Sequence, residues 1–287
     1  MYVILGGTGQ VGGATARALL SDGEDVTIVT READRAYELK AAGARVAVTD
    51  IRDVDALREV FRTGKRAFLL NPPADPSTDT DAEERRNVDA IIAALDGSGL
   101  EKVVTQSTYG AFAGEHCGDL TVLHELEQKL RAQPIPAAIN RGAYYMSNWA
   151  GMVDVVRESG TLPSFFPADL ALPVVAPGDL GRIAARRLMA PASDTGVQHL
   201  EGPERYTAHD VADAFGNALN RKVVVDEIPR DALEQTFSQF GFSDKAAASY
   251  ACMTRRVIDG ETDMDDEPVR GQTTLRTYIR SVVGDAG

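Results

Sequence analysis

Tyr2-Val3-Ile4-Leu5-Gly6-Gly7-Thr8-Gly9-Gln10-Val11-Gly12 opens the chain, and its reading decides the fold. Tyr2 to Leu5 is an apolar run stopped by two glycines, the pattern of a buried strand. Val11 to Leu20 then carries apolar residues at helical spacing, so the glycines occupy a strand-to-helix turn. The stretch satisfies GxGxxG from Gly7 and GxxGxxG from Gly6. Glycine has a chemical use there, because side chains would keep a dinucleotide's pyrophosphate away from the backbone N–H groups at the helix start. Gly12 would also let the helix pack against the strand. A glycine-rich turn can be a plain connection, but between a strand and a helix it favours a bound nucleotide. The contacts expected on this reading are Gly6, Thr8, Gly9, Gln10, Val11 and Gly12.

Outward from the turn the pattern repeats. Val26 to Val29, Arg45 to Val48, Ala67 to Leu70 and Val103 to Thr105 read as strands, with Glu32 to Ala42, Val54 to Phe61 and Glu83 to Leu95 as helices between them. Strand and helix in strict alternation imply an α/β fold, a doubly wound parallel sheet covered on both faces. After about residue 140 prolines at 163, 167, 173 and 177 break the rhythm. We therefore expect residues 1–140 to hold the nucleotide and 141–287 to form a smaller, mostly helical substrate lobe, with some segments returning to the first domain. Thr207 and Asp210 form an approximate capping box for a helix over Ala208 to Leu219. The acidic stretch from Asp259 to Glu267 reads as a solvated loop.

Composition bounds the function. The 287 residues carry 30 Lys plus Arg against 43 Asp plus Glu, a formal net charge of −13. Such a surface repels phosphate backbones and anionic lipid, so no direct nucleic-acid or membrane partner is expected. The two cysteines, Cys117 and Cys252, lack the paired spacings of a zinc site or a disulfide framework, and fit a reducing cytoplasm. No leader and no long apolar run is read, so the expectation is a cytoplasmic protein without a metal.

The strand ends supply the remaining candidates. Beyond the second strand stands Thr30-Arg31-Glu32, with Arg35 a turn later. Two guanidinium groups suit the 2′-phosphate of NADP(H), whereas Glu32 could turn to a ribose hydroxyl and admit NAD. Asp50 and Ile51 end the third strand and Asn71-Pro72-Pro73 the fourth, where ligands sit in open sheets. Asp50 can equally be a helix cap. Ser107-Thr108-Tyr109 follows the fifth strand. Tyr144, Tyr145, Asn148, Trp149 and Phe165 are placed to line an apolar pocket for a flat aromatic ligand, although core packing accounts for some of them.

These residues together resemble the NmrA-like branch of the atypical short-chain dehydrogenase/reductases. The resemblance rests on Gly6-Gly7-Thr8-Gly9 with Gly12, Thr30-Arg31, Asp50 to Asp53, Asn140-Arg141-Gly142 with Asn148, Asp179-Leu180-Gly181, and Gly202-Pro203-Glu204 before Thr207. It implies a Rossmann-like domain with a small C-terminal lobe over the nicotinamide. Members include quinone and dye reductases, relatives of isoflavone reductases, and redox-sensing regulators without turnover. Active classical members use a tyrosine with a lysine four residues later. Here Leu120 and His124 stand at those positions, so the usual acid is absent. A positioned acid is worth about 10²–10⁴ in rate, which points to acceptors that take hydride readily.

The expected function is therefore hydride transfer from NADP(H) to an electron-poor aromatic or quinonoid small molecule, with Tyr109 or His124 as the candidate proton donor. The competing readings are a redox sensor acting through a protein partner and a biosynthetic reductase or isomerase of a polycyclic intermediate. A homodimer is compatible with either.

Overall fold

The alternation of apolar runs and helical stretches folds as a parallel sheet. The computed structural model describes residues 1–262 and 267–285. Its first half runs β1 (Tyr2–Ile4), α1 (Gln10–Ser21), β2 (Val26–Thr30), α2 (Tyr37–Ala41), β3 (Arg45–Val48), α3 (Val54–Arg62), β4 (Arg66–Leu69), α4 (Thr80–Leu95), β5 (Lys102–Thr108), α5 (Asp119–Arg131) and β6 (Ala137–Gly142). The second half continues with β7 (Tyr144–Tyr145), α6 (Ser147–Ala150), α7 (Val153–Ser159), β8 (Thr161–Ser164), β9 (Leu172–Val175), α8 (Pro177–Met189), β10 (Gly196–Glu201) and β11 (Arg205–Tyr206). It closes with α9 (Ala208–Leu219), β12 (Val224–Glu227), α10 (Leu233–Gln239), α11 (Asp244–Ile258), β13 (Val269–Arg270) and α12 (Leu275–Asp285).

The main sheet has eight strands in the order β13-β10-β6-β5-β4-β1-β2-β3, and the pairs are parallel. Strand order reverses between β1 and β4, the kind of crevice where open sheets bind ligands. One apolar layer joins Ile4, Val11, Ile28 and Phe68 to Leu180 and Ile183 of α8. The opposite layer joins Val3, Leu5, Leu57 and Leu69 to Val88, Ile91, Leu126 and Leu130. α8 lies so close to α1 that a Cβ on Gly181 would stand 2.5 Å from the Ala14 Cβ and 2.7 Å from the Val11 carbonyl oxygen.

The second half divides its elements. β6, β10 and β13 extend the main sheet, and residue 140 falls within β6. α8 packs on α1 in the first apolar layer, and the rest packs around Trp149, Phe166, Phe215 and Ile279, with a smaller cluster at Leu233, Phe237, Ala247 and Ala251. Thr207 and Asp210 form the capping box of α9. Arg230 pairs with Asp259 and Arg256 with Glu261; residues 263–266 of the acidic stretch lie outside the described residues.

Three sequence expectations change. The helix expected from Glu32 is a 3₁₀ turn over Ala33–Ala36 followed by the five-residue α2; Glu32 itself is extended, at φ −128° and ψ 112°, with its N–H on the Thr30 hydroxyl at 3.2 Å. α4 starts three residues before Glu83, because Asp79 caps it by accepting from the Ala82 N–H at 3.1 Å. Cys117 and Cys252 are bonded, with Cα atoms 5.3 Å apart. The spacing argument detects locally paired cysteines, whereas this bond spans 135 residues because α11 packs on the loop before α5, where the Met253 side chain lies against Gly118. The cysteines therefore no longer support a reducing compartment. Among the described residues no helix is long and apolar enough to cross a membrane.

Candidate functional site

The turn after β1 separates its glycines by role. Gly6 has φ +61°, a conformation glycine reaches without a Cβ penalty, and its carbonyl accepts from the Gly9 N–H at 2.9 Å. A Cβ on Gly12 would stand 2.3 Å from the Gly6 oxygen, so packing alone requires glycine there. Gly9 differs, being exposed, and a Cβ on it would meet only the Gly6 oxygen, at 3.2 Å. Gly9 is the N-cap of α1, with no side-chain cap and no acidic residue in the first turn. The leading N–H groups, at Gln10, Val11 and Gly12, are thus left without a protein side-chain acceptor. With the helix dipole they make a cradle for an anion. Thr8 stands beside it, its hydroxyl 3.5 Å from that of Thr30.

Beyond β2, Arg31 is exposed and has no ion-pair partner among the described residues. Arg35 is exposed too, 3.9 Å from Glu32, a distance that leaves both available in water. Asp50 is exposed and accepts from the Arg52 N–H at 2.9 Å, while the cap of α3 is Asp53, which accepts from Ala56 at 3.1 Å. Ile51 follows Asp50 in the turn, partly covered. After β4 both amide atoms of Asn71 are buried without a hydrogen-bond partner among the described residues. An orphaned buried amide is costly, and a ligand lying over the strand end would satisfy it. Pro72 accepts from the Asn87 amide at 3.4 Å, and Pro73 is exposed. The open Gly9, the uncapped helix start, unpaired Arg31 and orphaned Asn71 together fit a pyridine dinucleotide.

The sequence-derived chemical candidates are differently placed. Ser107 donates to buried Glu127 at 2.6 Å, and Glu127 is held by Arg141 through two bonds of 2.8 Å. Tyr109 is 5% exposed, its hydroxyl donating to Glu201 at 3.4 Å. Burial, then the Glu201 charge, push its pKa well above the ordinary phenol value, so it holds its proton firmly. His124 lies on α5 with Nδ1 buried and unpartnered among the described residues and Nε2 3.4 Å from the Gln128 amide nitrogen.

Of the aromatic candidates, Trp149 is buried in the second-half core. Tyr144 packs on it at 5.2 Å and edge-on to Phe166 at 5.1 Å. Phe165 stacks on Phe237 at 4.6 Å. Asn148 is exposed. Tyr145 neighbours Gln106 and Asp119, and burial, then Asp119, raise its pKa.

Sequence reading missed three carboxyls at the starts of α4 and α5. Asp81 accepts from the Gly118 N–H at 3.3 Å and leaves Oδ1 buried without a partner among the described residues. Glu84, 4% exposed, accepts from the Ala74 N–H at 3.0 Å. Its pKa is raised by burial and then by Asp119, with which it shares a hydrogen bond. The signal available was that Asp81, Glu84 and Asp119 follow the fourth and fifth strands, as ligand-side residues do.

Comparison with known proteins places this architecture. The model of the NmrA-like family matches residues 2–265. An NAD(P)H azoreductase of Xenophilus azovorans is 22% identical over 248 residues, 86% of this chain and 84% of that protein. The Citrobacter sp. triphenylmethane reductase complexed with NADP(H) superposes with a TM-score of 0.81 at 17% identity, covering 98% of this chain and 99% of the other. The NADPH complex of a quinone oxidoreductase from Escherichia coli gives 0.79 at 19% identity, covering 98% and 99%.

Proposed function

This chain belongs to the NmrA-like family, and we propose that it is an NADP(H)-dependent reductase of an electron-poor aromatic acceptor of the quinone, azo or cationic dye kind. The observation that carries the reading is the exposed, uncapped start of α1 at Gly9, a cradle that packing does not explain. The name of the azoreductase relative supports the acceptor class. Bound NADP(H) supplies the hydride. Gln10, Val11 and Gly12 hold its pyrophosphate with their N–H groups, Arg31 and Arg35 hold the 2′-phosphate, and Asp50 with Ile51 borders the adenosine. Asn71, Pro72 and Pro73 close over the nicotinamide side. Residues 1–140 with the returning strands form the coenzyme half, and the second half covers the acceptor through Tyr144, Tyr145 and Asn148.

The test is to mix the purified protein with NADPH and a panel of quinones, azo compounds and dyes, following loss of the reduced nicotinamide's absorbance. Oxidation above background with at least one acceptor is expected. Tight coenzyme binding without oxidation across the panel would overturn the enzyme in favour of a redox sensor. For the coenzyme, Arg31→Ala should weaken NADPH by about 1.5–3 kcal/mol more than NADH, the worth of a charge-assisted hydrogen bond. Equal losses in calorimetry would refute the phosphate assignment.

A further inference from the structure

Helix α11 lies across strand ends of the first half. At its start the Ser243 N–H donates to the Pro76 carbonyl at 2.9 Å and the Ser243 hydroxyl to the Thr78 carbonyl at 2.5 Å. Both carbonyls belong to the loop that Asn71 opens at the end of β4. Further along, the Met253 side chain lies against Gly118, just before α5. Past the end of the helix, Thr262 is packed so closely on Gly110 that a Cβ there would stand 2.5 Å from the Thr262 Cγ2. Gly110 follows Tyr109 in the loop after β5. The helix thus bridges the loops after β4 and β5, which carry Asn71 to Pro73 and Tyr109. None of these contacts reaches the α1 turn.

The α10–α11 pair has an apolar core of its own. Leu233, Phe237, Ala247 and Ala251 form it, with Phe165, Ile228, Phe242, Tyr250 and Ile258 packed against them, all from the second half. The hold on the first half is of another kind. Lys245 pairs with Asp79 from an exposed position, the Arg256 guanidinium stands 3.7 Å over the Phe112 ring, and Ser243 makes its two hydrogen bonds. Polar contacts near solvent exchange for water at little cost, so a segment held by them alone opens locally. The covalent tie is Cys117–Cys252. Cys117 is buried and Cys252 partly exposed, so a small thiol attacks from the α11 side.

We infer that Cys117 and Cys252 are a thiol-controlled latch on acceptor binding. The inference rests on the reductase reading above, with the nicotinamide at the ends of β4 and β5. With the bond formed, α11 holds the loops after both strands in one arrangement beside the acceptor. A dithiol releases it. One thiolate attacks the Cys252 sulfur, the S–S bond breaks, and Cys117 leaves as a thiolate that takes up a proton. The second thiol then displaces Cys252, which is protonated in turn. The cysteines gain two electrons and two protons, and the dithiol ends as a cyclic disulfide. Phe237 stays stacked on Phe165 at 4.6 Å, so the pair remains with the second half while it parts from the strand ends. An acceptor that needs the closed arrangement binds in proportion to the closed fraction, whereas NADPH keeps its hold at the α1 turn.

The test compares full-length wild type in its two redox states. One sample is air-oxidised, the other is treated with dithiothreitol and desalted without oxygen, and alkylation with mass spectrometry confirms the thiol state of each. Both, together with Cys252→Ser, are assayed with NADPH and an azo dye. On reduction and in Cys252→Ser the acceptor KM should rise about tenfold while the NADPH Kd changes less than about threefold. Reoxidation should restore wild type and leave the variant unchanged. An acceptor KM equal in the two states, equal losses for acceptor and NADPH, or cysteines that stay bonded in dithiothreitol or unpaired in air would overturn the latch and leave the reductase standing. A second measurement needs no turnover: acrylamide quenching of the fluorescence of bound NADPH should be weak with the bond formed and stronger on reduction. Wild type that binds NADPH but reduces no acceptor sinks the reductase, and the quenching then decides the latch, which unchanged quenching overturns and stronger quenching supports. No NADPH binding in either state sinks both. The wild-type comparison holds even if Cys252→Ser fails to fold.

Discussion

Gly9 and Gly12 sit three residues apart in one turn, yet alanine at each position tests a different thing. At Gly12 a Cβ meets backbone at 2.3 Å and 2.8 Å, so β1 and α1 must separate. Thermal unfolding should show Gly12→Ala destabilised by about 1–3 kcal/mol. At Gly9 the only contact is at 3.2 Å and the position is exposed, so Gly9→Ala should keep most of its stability and lose coenzyme affinity, a split that calorimetry and Tm together can read. Glu84 offers a prediction in pH. Burial, then Asp119, raise its pKa to about 8, far above the roughly 4.3 of an unfolded glutamate. Between those values the folded chain binds a proton that the unfolded chain has lost, so this group's contribution to stability is present at low pH and drains away as pH rises. Glu84→Gln removes that dependence. Its Tm should exceed wild type increasingly from about pH 5 to pH 8, and a constant difference across that range would refute the shifted carboxyl.

At the scale of elements, legibility followed the kind of signal each element carries. β1, β2, β3 and α1 are written locally, in apolar runs and glycine punctuation, and so is the Thr207 cap of α9. α2 was misread because Glu32 is extended and a 3₁₀ turn over Ala33–Ala36 comes first, a backbone choice that periodicity cannot display. The start of α4 was set by a local cap at Asp79 that the apolar pattern does not display, whereas the burial of Glu84 is created by α5 and α11, elements distant in sequence. Gly181 belongs to the same class. Its reason lies in the approach of α8 to α1, where a Cβ would stand 2.7 Å from the Thr15 nitrogen. Gly181→Ala should force the helices apart at a cost of about 1–3 kcal/mol. Because that contact reaches Val11 in the first turn of α1, beside the N–H groups of the coenzyme cradle, coenzyme affinity should fall with stability. A full-strength complex in a destabilised variant would show that the α1–α8 contact is purely structural.

For the whole molecule, the question is what fixes the α10–α11 pair over the strand ends. The contacts that tie it to the first half include the Cys117–Cys252 bond, Lys245 to Asp79 at 2.8 Å, the Ser243 hydroxyl to the Thr78 carbonyl at 2.5 Å, the Ser243 N–H to the Pro76 carbonyl at 2.9 Å, and the Arg256 guanidinium 3.7 Å over the Phe112 ring. The ion pair is exposed on its lysine side and contributes little in water, and two hydrogen bonds add only about 1 kcal/mol each. The covalent link therefore dominates. It closes a loop of 135 residues, for which removal costs about 2–5 kcal/mol, or roughly 5–15 °C in Tm for a chain of this size. The loss should also be local, since β1, β4 and β5 with their apolar layers do not depend on the bond. On reduction, or in Cys252→Ser, amide exchange should quicken over Leu233–Gln239 and Asp244–Ile258 and at the start of α5, while the central strands stay protected and NADPH still binds at the α1 turn. Uniform acceleration through the sheet would mean that the bond supports the whole fold; unchanged exchange and Tm would mean that the noncovalent contacts suffice.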